Sequence, residues 1–398
     1  MAASMRFDSA RARKVIDELG DPRFAGPDGE ARVADFVAEQ FATMGWQVER
    51  LSVVGTRPHR LASWARWLAY GFLITSAYGL LLLDRLAASA GAVLLLLYGM
   101  ILFGDLVASS IRTARPRPPS GSAPVVVASL PRSSPAPVRV VFRASLGELR
   151  PSLFHVVLRD KYHDLFWING LLFACMMFAL LLGLGMWYRP GREFSRLGHE
   201  VFLRYLIPPI LAFNWIVILG VLAWEYHQFR SRERPGAPER RGLAVLLELA
   251  RSWPRGESRP IEPFFVAAGE PRLDHAGTRE IARRFECGGT SRPSLLILLL
   301  APGAGDSLWL ATRDPPLAIE RGTDAMVRDA AQSLWIPSKV VHPSTPLPFW
   351  PIADRGPVVA LMGSDPRAYP DASADPQALH RAAQLATEIA LRWAKSRK

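Results

Sequence analysis

Uncharged apolar stretches, each long enough to cross a bilayer, interrupt a chain that otherwise shows helical and strand-like patterns. Each holds roughly 17–24 residues, close to the ~20 that a helix needs to span hydrocarbon. They are Trp67–Leu83, Leu86–Gly104, Leu165–Tyr188 and Tyr205–Trp224. The pattern therefore predicts an integral membrane protein with two helical hairpins. No stretch has a charged residue at its centre, which argues against an ion or proton pathway.

The remaining segments alternate between two apolar periodicities. Helical spacing covers 8–45, with a break at Pro22–Gly29, and Trp46–Val54 alternates like a strand. Leu295–Leu300 is continuously apolar but too short to cross a membrane, which is typical of a central strand covered on both faces. The other predicted strands are Val125–Leu130, Val138–Phe142, Phe264–Ala268, Ser307–Ala311 and Val358–Met362, and the other predicted helices are Gly242–Arg251, Thr278–Phe285, Asp324–Leu334 and Pro376–Lys395. This alternation predicts an α/β fold in which a mixed sheet is flanked by helices.

The apolar stretches divide the polar part of the chain into three pieces. We predict an N-terminal part of the α/β domain at 1–60, a transmembrane hairpin at 61–111, a linker and middle strands at 112–164, a second hairpin at 165–226, and the C-terminal part of the domain at 227–398. Two hairpins return all three pieces to one side of the membrane. We therefore expect one soluble domain assembled across both hairpins.

Charge refines this picture. The net charge of +12 comes mostly from arginines, many of them beside the apolar stretches, where basic residues favour the cytoplasmic side. We expect an inner or plasma membrane location, with the soluble domain and both termini in the cytoplasm. The lipid bilayer is one expected partner. No basic run is interleaved with stacking aromatics, so nucleic acid is not expected. Two cysteines, Cys175 and Cys287, make no disulfide framework.

Four segments outside the apolar stretches contain motifs in a specific order. They are the helix with a Gly-Trp exit at Gly26–Trp46, the Gly-Leu-Ala-Val-Leu-Leu-Glu-Leu-Ala-Arg helix at Gly242–Arg251, the strand ending in Gly-Glu-Pro at Phe264–Pro271, and Gly356–Asp375 before the last helix. Read in this order, they resemble zinc metallopeptidase family 28, the aminopeptidase and glutaminyl-cyclase type. The resemblance implies a zinc-exopeptidase-like sheet, interrupted here by the hairpins.

The same resemblance implies a two-zinc centre, whose ligand positions hold unsuitable residues in this chain. The family's metal positions fall on Ser145, Gly147, Pro238, Pro271, Leu300 and Pro370, and the presumed general base falls on Glu270. Serine is a poor zinc ligand, and glycine, proline and leucine have no side-chain donor. We therefore expect no metal, and no catalytic residue beyond the retained Glu270.

The leading interpretation is a polytopic membrane protein with a catalytically degenerate aminopeptidase-like domain. Its strand-end cleft would bind a peptide or a protein partner without a cofactor. One alternative is an active membrane-anchored zinc exopeptidase, whose metal site is rebuilt from substitute residues. The candidates are Glu239, Asp274, His275, Asp306 and His342. A further alternative is a lipid-associated, membrane-organising protein, for which the α/β domain is a platform.

Overall fold

The computed structural model describes most of one α/β unit and scattered positions of a second unit. The described residues are 7–24, 28–55, 121–131, 136–147, 239–254, 260–269, 276–285, 293–300, 302, 307–313, 322–340, 357–363 and 375–397, with isolated positions within 68–76 and 205–223. The chain divides into two compact units, one formed by Met1–Pro58, Pro118–Ser152 and Arg230–Lys398, the other by His59–Arg117 and Leu153–Phe229. All four predicted spans fall within the second unit.

The first unit alternates helices and strands along its described residues. The helices are α1 (Ser9–Glu18), α2 (Gly29–Thr43), α3 (Arg240–Ser252), α4 (Ala276–Arg284), α5 (Thr323–Ser333) and α6 (Pro376–Ser396). The strands are β1 (Gln47–Gly55), β2 (Gly121–Ser129), β3 (Val138–Ser145), β4 (Ile261–Ala268), β5 (Ser294–Leu300), β6 (Leu308–Arg313), β7 (Ser338–Val340) and β8 (Val358–Gly363). A short 3-10 turn, Pro22–Phe24, separates α1 from α2.

The strands form one eight-stranded mixed sheet in the order β1-β2-β4-β3-β5-β8-β6-β7. Strands β4, β3, β5 and β8 are mutually parallel, whereas β2 is antiparallel to both β1 and β4. Strand β6 is antiparallel to β8 and parallel to β7. The carboxyl ends of β1, β3, β4, β5 and β8 therefore lie at one end of the sheet, called here the carboxyl end. The predicted mixed α/β sheet flanked by helices is confirmed.

Strand β5 is covered on both faces, as its continuous apolar run predicts. Leu295, Ile297 and Leu299 belong to the core cluster that contains the buried faces of α1, α2, α3, α5 and α6. Leu296 and Leu298 belong to a second cluster on the opposite face of the sheet, which includes apolar residues of α4. All five side chains are fully buried. At roughly 1.5–3 kcal/mol per buried leucine, this strand is a main source of stability.

Aromatic packing fixes α3 against the sheet. The Phe142 and Phe265 rings of β3 and β4 stack with centroids 5.3 Å apart, and the Trp46 ring meets Phe265 edge-on at 4.9 Å. The indole N–H of Trp46 donates a hydrogen bond of 3.2 Å to the carbonyl oxygen of Ala250 in α3. A buried N–H that finds this acceptor avoids a desolvation penalty of about 1–3 kcal/mol. The contact ties the start of β1 to the end of α3.

Helix α3 also carries a buried carboxylate, Glu248, which is an ion-pair partner of α1. Its carboxylate lies 3.3 Å from Nε of Arg11 and 3.8 Å from Nε of Arg251. Burial raises the pKa of Glu248, and the two nearby guanidinium groups lower it to a lesser extent. Because these contacts lie along α3 and α1, we assign Glu248 a structural role in joining the two helices.

The second unit is described only at scattered helical positions. Trp215 packs on Gly71, where an added methyl group would approach the indole to 2.6 Å, and its ring N–H donates a 3.0 Å hydrogen bond to the hydroxyl of Thr75. The Phe72 ring meets the same indole edge-on at 6.0 Å. Residues of the first and fourth apolar stretches are therefore in direct contact.

Most of the predicted spans lie outside the described residues. Two of them lie entirely outside the described residues, namely Leu86–Gly104 and Leu165–Tyr188. The other two, Trp67–Leu83 and Tyr205–Trp224, are described only at isolated positions. Among the positions that are described, no helix is both long and apolar enough to cross a bilayer.

Candidate functional site

The candidate site is the carboxyl end of the sheet, where three neighbouring parallel strands end side by side. In β3, Ser145 is the last residue and stands opposite Ala268, the last residue of β4. In β5, Leu300 is the last residue, and Leu299 stands opposite Ala144 of β3. The order β4-β3-β5 thus brings Ser145 and Leu300 onto adjacent strand ends, a place where α/β sheets commonly bind ligands.

The hydroxyl group of Ser145 forms a hydrogen bond within the protein. Ser145 is buried, and its hydroxyl donates a 2.9 Å hydrogen bond to the carbonyl oxygen of Gly147. The Leu146 N–H donates a 2.9 Å bond to the carbonyl oxygen of Ala268, so the turn after β3 is held to the end of β4. These bonds give Ser145 the role of closing a turn. Gly147 supplies only backbone atoms, and Leu300 has no side-chain donor.

The carboxylate of Glu239 lies next to the carboxyl end of β5. Glu239 directly precedes α3 and is buried. A methyl group built on Gly242 would lie 2.0 Å from Oε2 of Glu239 and 2.7 Å from the carbonyl oxygen of Leu299. The carboxylate, the helix N-terminus and the strand end therefore converge over Gly242. A carboxylate at this position is favoured by the helix dipole.

A second carboxylate, that of Glu30, approaches the site from α2. A methyl group on Gly269 would lie 2.7 Å from Oε2 of Glu30, and the Gly269 N–H donates a 2.8 Å bond to the carbonyl oxygen of Pro124. Glu30 thus lies beside the residue that precedes Glu270. The contact of Glu30 could not be predicted from the sequence, because it joins the first turn of α2 to a strand end more than 200 residues away. The one feature of the sequence that marks Glu30 is its position in the first turn of the predicted helix, where acidic residues are favoured by the helix dipole.

Arg143 is another charged residue that the sequence analysis did not select. It lies on β3 two residues before Ser145, so the two side chains point to the same face of the sheet. Its side chain is 2% exposed. Burying a guanidinium is costly unless other groups compensate its charge, so Arg143 places a positive charge in the interior next to the strand ends.

The other candidates from the sequence cannot be placed. Pro238, Pro271 and Pro370, the retained Glu270, and the substitutes Asp274, His275, Asp306 and His342 lie outside the described residues. Of the proposed substitutes, Glu239 is the one whose surroundings are visible, and it does lie at the carboxyl end of the sheet. Whether the others join it stays a prediction.

The described side chains do not fit a zinc centre. A catalytic zinc site uses three protein ligands and an open position. At the carboxyl end of the sheet the described residues supply the carboxylates of Glu239 and Glu30, and across all described residues no three His, Cys, Asp or Glu side chains are grouped closely enough to hold a metal ion.

Comparison with known proteins gives fold-level likeness only. No family model matches the chain, and no curated protein matches it. Among solved structures, the chain is similar to the glutaminyl cyclase of Fimbriiglobus ruber (12% identity, 98% of this chain and 96% of that chain, TM-score 0.48). It is also similar to an aminopeptidase from Aneurinibacillus sp. strain AM-1 (12% identity, 98% and 94%, TM-score 0.46) and to a zinc aminopeptidase from Bacillus subtilis (12% identity, 98% and 96%, TM-score 0.45). With every TM-score below 0.5, no residue role or activity is transferred from these proteins.

Proposed function

We propose that the chain is a polytopic membrane protein whose aminopeptidase-like α/β unit lacks a working zinc centre and serves as a binding or scaffold module. The observation that supports this most directly is the chemistry at the carboxyl end of the sheet. The hydroxyl of Ser145 is bonded to Gly147, and Leu300 has no donor atom. Among the described residues at this end, Glu239 and Glu30 supply two carboxylates, whereas a catalytic zinc uses three protein ligands.

The membrane part of the proposal rests on the four apolar stretches and on the described positions within two of them. In these two stretches Trp215 packs on Gly71. Other large apolar side chains of the same stretches are exposed, namely Phe72, Tyr205, Ile216 and Leu219. Close packing on a glycine, with apolar side chains left outside, is the usual arrangement of helices in lipid. The expected location is an inner or plasma membrane with the α/β unit in the cytoplasm.

The proposed partner is a peptide or a protein that binds at the carboxyl end of the sheet without a metal ion. The carboxylates of Glu239 and Glu30 lie there, and the buried guanidinium of Arg143 lies two residues before the end of β3. The charge at this end is therefore mixed, and the ligand is identified by binding experiments rather than by the sign of one group.

Metal analysis of the purified full-length protein tests the pseudoenzyme part. We expect no stoichiometric zinc and no chelator-sensitive release of amino-terminal residues from peptides. Stoichiometric zinc together with chelator-sensitive aminopeptidase or glutaminyl-cyclase activity would overturn it. For the membrane part, we expect the protein to stay with the membrane pellet after alkaline carbonate extraction, and its release into the supernatant would contradict the spans.

The second candidate is an active zinc exopeptidase, which the burial of Glu239 at the strand ends favours. In that case Glu239→Gln would remove both zinc and activity. Glu248→Gln is the matched control, because it neutralises a buried carboxylate of α3 whose ion-pair contacts are with Arg11 of α1 and Arg251 of α3, away from the strand ends. Loss of zinc in the first variant and not in the second would support this candidate, and absence of zinc in the unmodified protein would exclude it.

A third candidate is a lipid-associated, membrane-organising protein with the α/β unit as its platform. Binding of lipid vesicles by the protein, lost at high salt, would support it.

A further inference from the structure

Trp335 has a left-handed backbone conformation that is unfavourable for a tryptophan, and its apolar ring is exposed to solvent. It follows α5 with a φ of 53°, the left-handed conformation that favours glycine, and its side chain is 92% exposed. Its N–H donates to the carbonyl oxygen of Gln332, and the Ile336 N–H donates a 3.0 Å bond to that of Ala331, so the turn closes the helix. Glycine is the usual residue here. A tryptophan placed there gains no packing in the folded unit, and such an outlier suggests a function.

The position of Trp335 relative to the sheet shows at which end of the strands it lies. It shortly precedes β7, and Ser338 of β7 and Gly363 of β8 both stand opposite Leu308 of β6. Trp335 therefore lies at the carboxyl end of the sheet. Val54, 63% exposed near the end of β1, lies at this same end on the opposite edge. Among the described residues of the first unit, these two are the exposed large apolar side chains.

The chain leaves the first unit twice at this end of the sheet. It departs once after β1 and once after β3, and each departure leads into residues of the second unit that contain two predicted spans. An exposed apolar side chain at this end can be accommodated by a lipid surface. Tryptophan in particular prefers the interface between lipid and water, because its ring is apolar and its N–H is polar.

Basic side chains accompany Trp335. Lys339 is exposed on β7, the edge strand, four residues further along. Its ammonium group lies 5.6 Å from the centroid of the Trp309 ring, which packs on the same face of the sheet as α4. The last turns of α6 are linked to the end of α5 by a 2.8 Å hydrogen bond from Arg392 to the hydroxyl of Ser333, and exposed Lys395 lies one turn beyond Arg392. Glu388 is already paired with Arg392 at 2.8 Å, so it does not cancel the lysines. The exposed Asp329 of α5 offsets one of these charges.

We infer that Trp335, Lys339 and Lys395 form a docking surface for anionic phospholipid headgroups, so that this corner of the α/β unit rests on the bilayer. The indole inserts at the level of the headgroups, and the two ammonium groups pair with phosphates around it. Each basic residue near an anionic surface strengthens binding by about fivefold. The inference shares the membrane setting of the proposed function, but it does not depend on the zinc question or on the four spans.

Hydrogen exchange of the full-length protein in lipid nanodiscs tests this docking. One set of nanodiscs contains phosphatidylcholine alone, and the other also contains a third of phosphatidylglycerol. We expect amides of 332–340 to exchange about five- to tenfold more slowly with the anionic lipid, an effect that 0.5 M salt removes. Equal exchange in both lipids would overturn the inference and would leave a protein partner as the occupant of this surface.

Three variants make the result specific. Trp335→Gly removes the ring while suiting the left-handed backbone, so it should keep or raise the apparent Tm and still abolish the slowing. Lys395→Glu should weaken it, whereas Arg381→Glu, 14 residues earlier in α6 and about 21 Å away at 1.5 Å per residue, should not. Equal slowing in Trp335→Gly and the unmodified protein would refute the role of the ring.

A failure of the spans can be told apart from a failure of this surface. If the protein is not retained in nanodiscs, its co-sedimentation with phosphatidylglycerol vesicles is measured instead. Salt-sensitive binding that Trp335→Gly abolishes would then support the docking surface without the spans. Binding that Trp335→Gly leaves unchanged, or no binding, would overturn the inference.

Discussion

Replacing Gly242 with alanine is the sharpest test of how the candidate site is packed. The new methyl group would lie 2.0 Å from Oε2 of Glu239 and 2.7 Å from the carbonyl oxygen of Leu299. The carboxylate can turn away, but the carbonyl belongs to β5, which is held between β3 and β8. We therefore expect α3 and β5 to separate by a few tenths of an ångström at their contact.

The expected loss can be worked out from these contacts. Overpacking of a buried site costs about 1–3 kcal/mol, and a clash with the backbone of a central strand belongs at the upper end. Alanine returns at most about 1 kcal/mol through its better helix propensity. The net loss is then about 2 kcal/mol. For a unit of this size that lowers the apparent Tm by roughly 4–8 °C.

Thermal unfolding of the full-length protein measures this loss, with Gly322→Ala as the control. An added methyl at Gly322 has open space, so that change should alter stability by less than about 1 kcal/mol through weaker capping of α5. In a Glu239→Ala background the nearer contact is gone, and Gly242→Ala should cost about 1 kcal/mol less, because residues in contact are not additive. A Gly242→Ala protein as stable as the unmodified one, or an equal cost in both backgrounds, would refute the described packing.

Three further changes probe the core and its titrating groups. Leu298→Ala deletes a fully buried side chain of the central strand, so it should lower the unfolding free energy by about 3–4 kcal/mol in denaturant titrations, and an unchanged midpoint would contradict the burial. Burial raises the pKa of Glu248, so its contribution to stability is greatest at pH 4.5 and below and is lost as the pH rises through the folded-state pKa. The stability of Glu248→Gln relative to the unmodified protein should therefore increase over that window, and a flat difference would count against the shift. Burial lowers the pKa of His380, which packs edge-on against Phe7, so the protein should lose stability as the pH falls below 6.5, and His380→Leu should lack this loss in the same titration.

The elements with a strong apolar pattern could be predicted from the sequence. Leu295–Leu300 reads as a buried strand because six consecutive apolar residues exclude both a surface strand and a span, and the structure places it at the centre of the sheet as β5. Strand β7 was missed. It is three residues long, and two of them, Ser338 and Lys339, are exposed. Such a strand exists because it pairs with β6, and that partner cannot be read from local periodicity.

The candidate site was predictable only in part. The resemblance placed Ser145 after one strand and Leu300 at the end of the next, and in the structure the two residues are the last ones of two neighbouring strands. Their loss of a metal-binding role stays a prediction. The approach of Glu30 to Gly269 could not be predicted, because it depends on α2 packing against a strand more than 200 residues away. Trp335 was also missed, since a left-handed backbone at a non-glycine residue leaves no trace in an apolar pattern.

Strand β3 has both of its neighbours, β4 and β5, on the far side of the second insertion. The ribosome finishes Ser145 about 150 residues before it begins β5 at Ser294. Strand β4 begins earlier, at Ile261, about 115 residues after Ser145. At about 5–20 residues per second, β3 waits roughly 6–23 s for β4 and roughly 8–30 s for β5. During that time its two edges are open to pairing with other chains, which is a recognised route to aggregation. A chaperone that covers the nascent β3 during this interval would prevent such pairing.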